Sequence, residues 1–166
     1  MSTRFNPSTA WPPGYQAMQD LSQAVDQSGL GPLLLNLVYI RASQINGCAF
    51  CLDLHTKDAI ALGEDSQRLH LVAAWREAAR QFDERERAAL ALTEVLTLMA
   101  STRHQDLDQA MDAAAEQFPA EELPQLVFAI GAINSWNRLT VASGRPVGGY
   151  RSPLGDGKSA VRGAAG

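Results

Sequence analysis

Apolar residues recur at three-to-four spacing along nearly the whole chain, and no run alternates apolar with polar residues between hairpin turns. A chain patterned this way can bury its apolar faces only as helix packed on helix. The expected class is therefore all-α, a bundle of about six to seven helices. Trp11-Pro12-Pro13 predicts a helix start, with Tyr15, Met18, Leu21 and Val25 on one face up to Gly29. A second helix is expected from Gly31-Pro32, apolar almost all round from Leu33 to Ile40. Such a helix must be covered on several sides, and because a small domain has limited surface to cover it, the pattern predicts a homo-oligomer.

Further along, Asn46 is the expected N-cap of a helix over about 47–62 closed by Gly63, and Ser66 of another through Leu69, Val72, Ala73 and Ala79. Asp83 with Glu86 three residues later predicts a capping box opening a helix over 84–100, with Leu90, Val95, Leu98 and Met99 facing inward. Helices over 106–117 and 120–142 complete the set, the last stopped by Gly144-Arg145-Pro146. Residues 1–143 read as a single domain. Residues 144–166, which hold 7 of the 13 glycines, read as an extended or disordered arm with too few large apolar residues for a core.

Charge and composition narrow the function. The 166 residues carry 14 Lys+Arg against 18 Asp+Glu, a net charge of −4, with no basic cluster, which argues against a nucleic-acid partner. No apolar run reaches the ~18 residues of a membrane span, and the opening MSTRFNPSTA has no apolar stretch of the secretory kind, so a cytoplasmic location is expected. The two cysteines, only two residues apart in a compartment that keeps thiols reduced, make a poor structural crosslink and are available for chemistry.

Those cysteines lie in Cys48-Ala49-Phe50-Cys51-Leu52-Asp53-Leu54-His55. At ~100° per helical residue, Cys51 sits about −60° and His55 about −20° from Cys48, so all three face one way. Residues three apart in a helix fall within the separation a disulfide tolerates, so the pair can open and close with little backbone movement. His55 lies one turn beyond Cys51, close enough to take its proton, while Cys48 sits nearer the helix N-terminus. Both effects favour thiolate, the form that attacks a peroxide O–O bond. A sulfenic acid formed in that attack would meet a second thiol one turn away and condense to a disulfide. A structural zinc would need a fourth ligand from His70, His104 or a carboxylate. The cysteines could also be small core residues, with His55 a satisfied buried imidazole. His70 and His104 read as surface residues, and Trp75 and Trp136 as core or interface material.

The stretch Arg41–Cys48 (RASQINGC) running into CAFCLDLHTKDA resembles the signature of the alkylhydroperoxidase AhpD and carboxymuconolactone decarboxylase family, with looser similarity in ERERAALALTEVLT and INSWNRL. The resemblance implies an AhpD-like helical fold, homo-oligomers of three or six subunits, and thiol peroxidase activity in members with the C-x-x-C. It implies Cys51 as peroxidatic thiol, Cys48 as resolving thiol and His55 as base. It further implies no permanently bound cofactor, hydroperoxides as substrates, and an external dithiol, typically lipoyl, as reductant; no metal is expected either, since a zinc lacks a ready fourth ligand. Two family relay positions, a Glu and a His, fall on Asn36 and Phe50, neither of which passes a proton as those residues do. Glu94, set among apolar residues, is a candidate replacement relay if burial raises its pKa; the competing expectation is a structural pair with Arg41. Besides the peroxidase, a non-catalytic redox-sensing module and a lactone decarboxylase of the same superfamily are the alternatives.

Overall fold

The computed structural model describes residues 3–154, and among them it contains eight α-helices and no strand. Helix α1 (Pro7–Ala10) is a single turn, capped by Asn6, whose side-chain oxygen accepts from the Ser8 amide at 3.1 Å. This turn is the element beyond the seven expected. Helix α2 (Pro12–Asp26) opens on two prolines, whose missing N–H groups cost nothing in a first turn.

Helix α3 (Pro32–Asn46) is the centre of the molecule, packed against α4 (Ala49–Ala61), α6 (Glu84–Thr97) and α8 (Glu122–Ser143). Leu34, Leu35, Leu37, Val38 and Ile40 are all buried, so its neighbours within one chain already cover nearly all of the apolar face. The composition of α3 therefore does not itself require a second subunit. Leu35 and Val38 meet Leu92, Leu126 and Ile130 on one side, while Leu37 and Ile40 meet Val72, Phe82 and Leu90 on the other.

The boundary between α3 and α4 differs from the sequence expectation. Asn46 ends α3 rather than capping α4; Gly47 takes the left-handed φ of 65° that closes α3, and Cys48 is the N-cap of α4. One left-handed residue reverses the chain so tightly that the next helix starts at once. Ser66 is likewise the first residue of α5 (Ser66–Leu71), whose cap is Asp65, and the continuation through Val72 to Gln81 breaks into two short 3-10 turns. The capping box of α6 forms as expected, with the Asp83 side chain accepting from Glu86 N at 2.8 Å and the Glu86 carboxylate accepting from Asp83 N at 3.0 Å. That helix stops at Thr97, so Leu98 and Met99, expected to face inward, are 47% and 58% exposed.

Helix α7 (His104–Gln117) packs on α6, and α8 ends on Gly144, with φ 69°. Of the arm, residues 144–154 run beside α4: the Tyr150 hydroxyl donates to Asp58 at 2.8 Å, and Lys57 donates to the Tyr150 carbonyl at 3.1 Å. The remainder of the arm, 155–166, lies outside the described residues. No described helix is long and apolar enough to cross a membrane.

Candidate active site

The two sulfurs belong to a small apolar cluster with Ala42, Phe50 and Ile133, where α3, α4 and α8 meet. Both cysteines are free, their Sγ atoms 2.6 Å apart, and the Cys48 sulfur also accepts from the Cys51 backbone amide at 3.4 Å. Cys48 is fully buried and Cys51 is 4% exposed. The hydrogen bond from the Cys51 thiol is the main influence lowering the Cys48 pKa to about 7, helped by backbone N–H groups of Cys51 and Phe50 and by the Asn137 side chain, against the opposing effect of burial. Cys51 moves the other way, its thiol held protonated by the bond it donates to Cys48, by burial and by the Cys48 charge. The helix N-terminus therefore acidifies Cys48 as the sequence suggests, but His55 does not make Cys51 a resting thiolate. Above about pH 7 one proton is therefore left between the two sulfurs, and the charge rests on the inner one.

His55 is set by Asn36. The Asn36 amide nitrogen donates to the Pro32 carbonyl at 2.9 Å, which turns its oxygen toward His55 Nδ1, 3.2 Å away. A carbonyl oxygen only accepts, so Nδ1 carries the proton and Nε2 has a free lone pair. Burial lowers the His55 pKa to about 3, leaving the ring neutral, and it lies against Tyr39 with centroids 4.7 Å apart. Asn36 cannot relay a proton, but it fixes the tautomer that makes the imidazole a base.

Cys51 and His55 share the wall of a cavity of about 270 Å³. Tyr15, Tyr39, Phe50, Leu54, Ile133 and Trp136 make most of it apolar, with Gln19, Ser22, Asp26, Thr140 and Arg145 as polar groups. Trp136 donates its indole N–H to Ser22 at 2.8 Å and packs nearly perpendicular to Tyr15, with ring centroids 5.5 Å apart, which ties α8 to α2 across the cavity. The Arg145 guanidinium covers the Phe50 ring at 4.0 Å. Burial, and then the charge of Asp58, raise the Asp26 pKa; burial, and then Asp26, raise that of Tyr39.

Glu94 is elsewhere. Its carboxylate accepts from Arg41 at 2.7 Å, from the Trp75 indole at 2.8 Å and from Arg76, and it does not line the cavity. Desolvation acts to raise its pKa, but these donors outweigh it, and the net shift is downward. The relay expectation is therefore corrected: Glu94 is an ionised structural partner of Arg41. His70 and His104 are exposed. Among the described residues, no group of three or more His, Cys, Asp or Glu side chains is placed to hold a metal ion.

Comparison with known proteins identifies the family and the fold. The family model for the carboxymuconolactone decarboxylase family matches residues 12–95, from α2 into α6. The chain is 39% identical over 144 residues to the uncharacterised Bacillus subtilis protein YdfG, covering 87% of this chain and 96% of YdfG. It belongs to the carboxymuconolactone decarboxylase family. Within that family its fold is AhpD-like: a crystal structure of an Agrobacterium tumefaciens protein of unknown function, a candidate antioxidant defence protein AhpD, superposes with a TM-score of 0.83 at 37% identity, over 89% of this chain and 99% of that one. The AhpD core of an uncharacterised peroxidase-related protein from Ralstonia eutropha JMP134 shares the fold at a TM-score of 0.71 and 17% identity, over 86% and 74% of the two chains.

Sequence reasoning singled out Cys48, Cys51 and His55, and the structure brings Cys51 and His55 to one cavity with Cys48 directly behind. It missed Tyr15, Tyr39, Asp26 and Asn137, and it read Trp136 as core or interface material. These residues come from three helices distant in sequence, and no local pattern joins them to the C-x-x-C.

Proposed function

We propose that this protein is a thiol-dependent peroxidase that reduces hydrogen peroxide or organic hydroperoxides through a dithiol/disulfide cycle. The observation that carries the reading is a cavity wall holding Cys51 and a neutral His55, with the acidified sulfur of Cys48 at 2.6 Å behind it. Cys51 is the sulfur that a molecule in the cavity meets. As it attacks, His55 Nε2 takes the Cys51 proton, an S–O bond forms, the peroxide O–O bond breaks, and the departing alkoxide leaves with that proton as an alcohol. An imidazole with so low a pKa does not store a proton, so it passes it on within the same step.

The Cys48 thiolate then attacks the Cys51 sulfenic acid. The S–S bond forms as the S–O bond breaks, and hydroxide leaves with a solvent proton as water. An inner sulfur that ionises near neutral pH shortens the lifetime of the sulfenic acid and so its exposure to over-oxidation. An external dithiol of lipoyl type returns two electrons and two protons, regenerating both thiols. The same family resemblance supports a homo-oligomer of three or six subunits.

Asn36 in place of an ionisable relay favours one further reading, a redox sensor that closes its disulfide without turnover. Steady peroxide consumption driven by dihydrolipoamide tests the enzyme. Sustained turnover that Cys51→Ser abolishes is the expected result. A single stoichiometric event with no turnover points to the sensor, and turnover that survives Cys51→Ser overturns the assignment of the nucleophile.

A further inference from the structure

The proposed cycle uses the cavity only where it meets Cys51 and His55, and it leaves the cation of that cavity without a role. Among the described residues, Arg145 is the single lysine or arginine on the wall. Its place is set by how α8 ends. Gly144, with its φ of 69°, closes the helix, the Arg145 amide donates back to the Thr140 carbonyl at 3.3 Å, and the following Pro146 restricts Arg145 to extended conformations. A backbone pinned in this way carries the side chain over the first turn of α4, where the guanidinium stacks at 4.0 Å on the ring of Phe50, the residue before Cys51. Stacking uses the face of a guanidinium and leaves its in-plane N–H donors for another group. Among the described residues no carboxylate pairs with them. Asp26, the carboxylate of the same cavity, comes from α2, and its charge acts on Tyr39 instead.

We infer that the preferred substrates of this site are organic hydroperoxides that carry a carboxylate, with Arg145 as the specificity-determining residue that receives it. This deepens the peroxidase reading and rests on it for the reaction, though not for recognition of the acid. A guanidinium matches a carboxylate in shape as well as charge, and two parallel N–H···O bonds fix the direction in which the bound molecule points. Arg145 is exposed and Cys51 is 4% exposed, so the cation sits toward solvent and the sulfur inward. A molecule held by its carboxylate therefore presents its other end to Cys51, with its hydrocarbon body against Tyr15, Leu54, Ile133 and Trp136. The cavity of about 270 Å³ equals the liquid volume of about nine water molecules, far more than hydrogen peroxide fills.

The test compares two hydroperoxides with the same body, cumene hydroperoxide and its 4-carboxy derivative, in turnover driven by dihydrolipoamide. At low ionic strength the expected kcat/KM for the acid exceeds that for the neutral compound by about fivefold, and the preference shrinks as salt is added. Arg145→Met brings the ratio close to unity, whereas Arg145→Lys, which keeps the charge without the fork, retains part of it. The ratio is read within each variant, so a change in overall activity does not disturb it. A ratio close to unity in the unaltered protein, or one that survives Arg145→Met, overturns the inference. Should neither hydroperoxide be turned over, the peroxidase reading fails, and the role of Arg145 is decided by binding alone: quenching of tryptophan fluorescence in the reduced protein by 4-isopropylbenzoate and by its neutral match 4-isopropylbenzamide. Tighter binding of the carboxylate that Arg145→Met abolishes upholds Arg145 as the anion-recognising residue, and equal binding of the two compounds overturns it.

Discussion

Asn36 does for His55 what no sequence rule anticipated. Taken as a missing carboxylate, it suggests a broken relay; seen in place, it is an oriented acceptor that sets a histidine tautomer. Asn36→Ala should therefore lower the rate of peroxide-driven disulfide formation by about tenfold, because the imidazole loses the partner that keeps Nε2 unprotonated. Asn36→Asp, which still accepts from Nδ1, should retain most of the rate. Equal losses in both variants, read by stopped-flow tryptophan fluorescence, would show that the tautomer does not matter. The same measurement carries a pH signature. Cys48 attacks as a thiolate, and its pKa lies at about 7, so disulfide closure should rise through that pH and level off above it. A rate flat from about pH 6 to 8 would contradict this.

Elements differ in how much of them a sequence reveals. The capping box at Asp83 and Glu86 could be read directly because both partners lie within one turn, and it forms as expected. Asn46-Gly47 misled because the pair signals either the end of one helix or the cap of the next, and only the left-handed Gly47 settles which. The helix carrying Cys51 and His55 was legible from periodicity alone, whereas the cavity walls depend on α2, α3 and α8 converging, which no spacing within one segment encodes. Glu94 shows the same limit in another form: a carboxylate in an apolar helix looks like a candidate acid until Arg41, Arg76 and Trp75 are found on it. Glu94→Ala leaves a mostly buried Arg41 without its partner and should cost about 3 kcal/mol in urea unfolding. Disulfide formation per folded molecule should stay the same. A rate that falls while stability holds would restore Glu94 as a relay.

At the scale of the whole molecule, the bundle uses its most apolar helix as an internal post and hangs the chemistry on that helix and its neighbours. Helix α3 supplies Asn36 and Tyr39, α4 and its N-cap supply the two sulfurs and the imidazole, α8 supplies Trp136, and α2 closes the cavity. The arm residue Arg145 then lies over Phe50 beside the sulfurs, so the described part of the arm belongs to the site's surroundings. The account depends on this one place being open to a peroxide and closed to most else. Adding one equivalent of cumene hydroperoxide to the fully reduced protein, then counting free thiols and recording the intact mass, tests it most directly. The account predicts loss of both thiols with a mass decrease of two hydrogens, and no disulfide in Cys51→Ser; two thiols still free after the peroxide is added would contradict it.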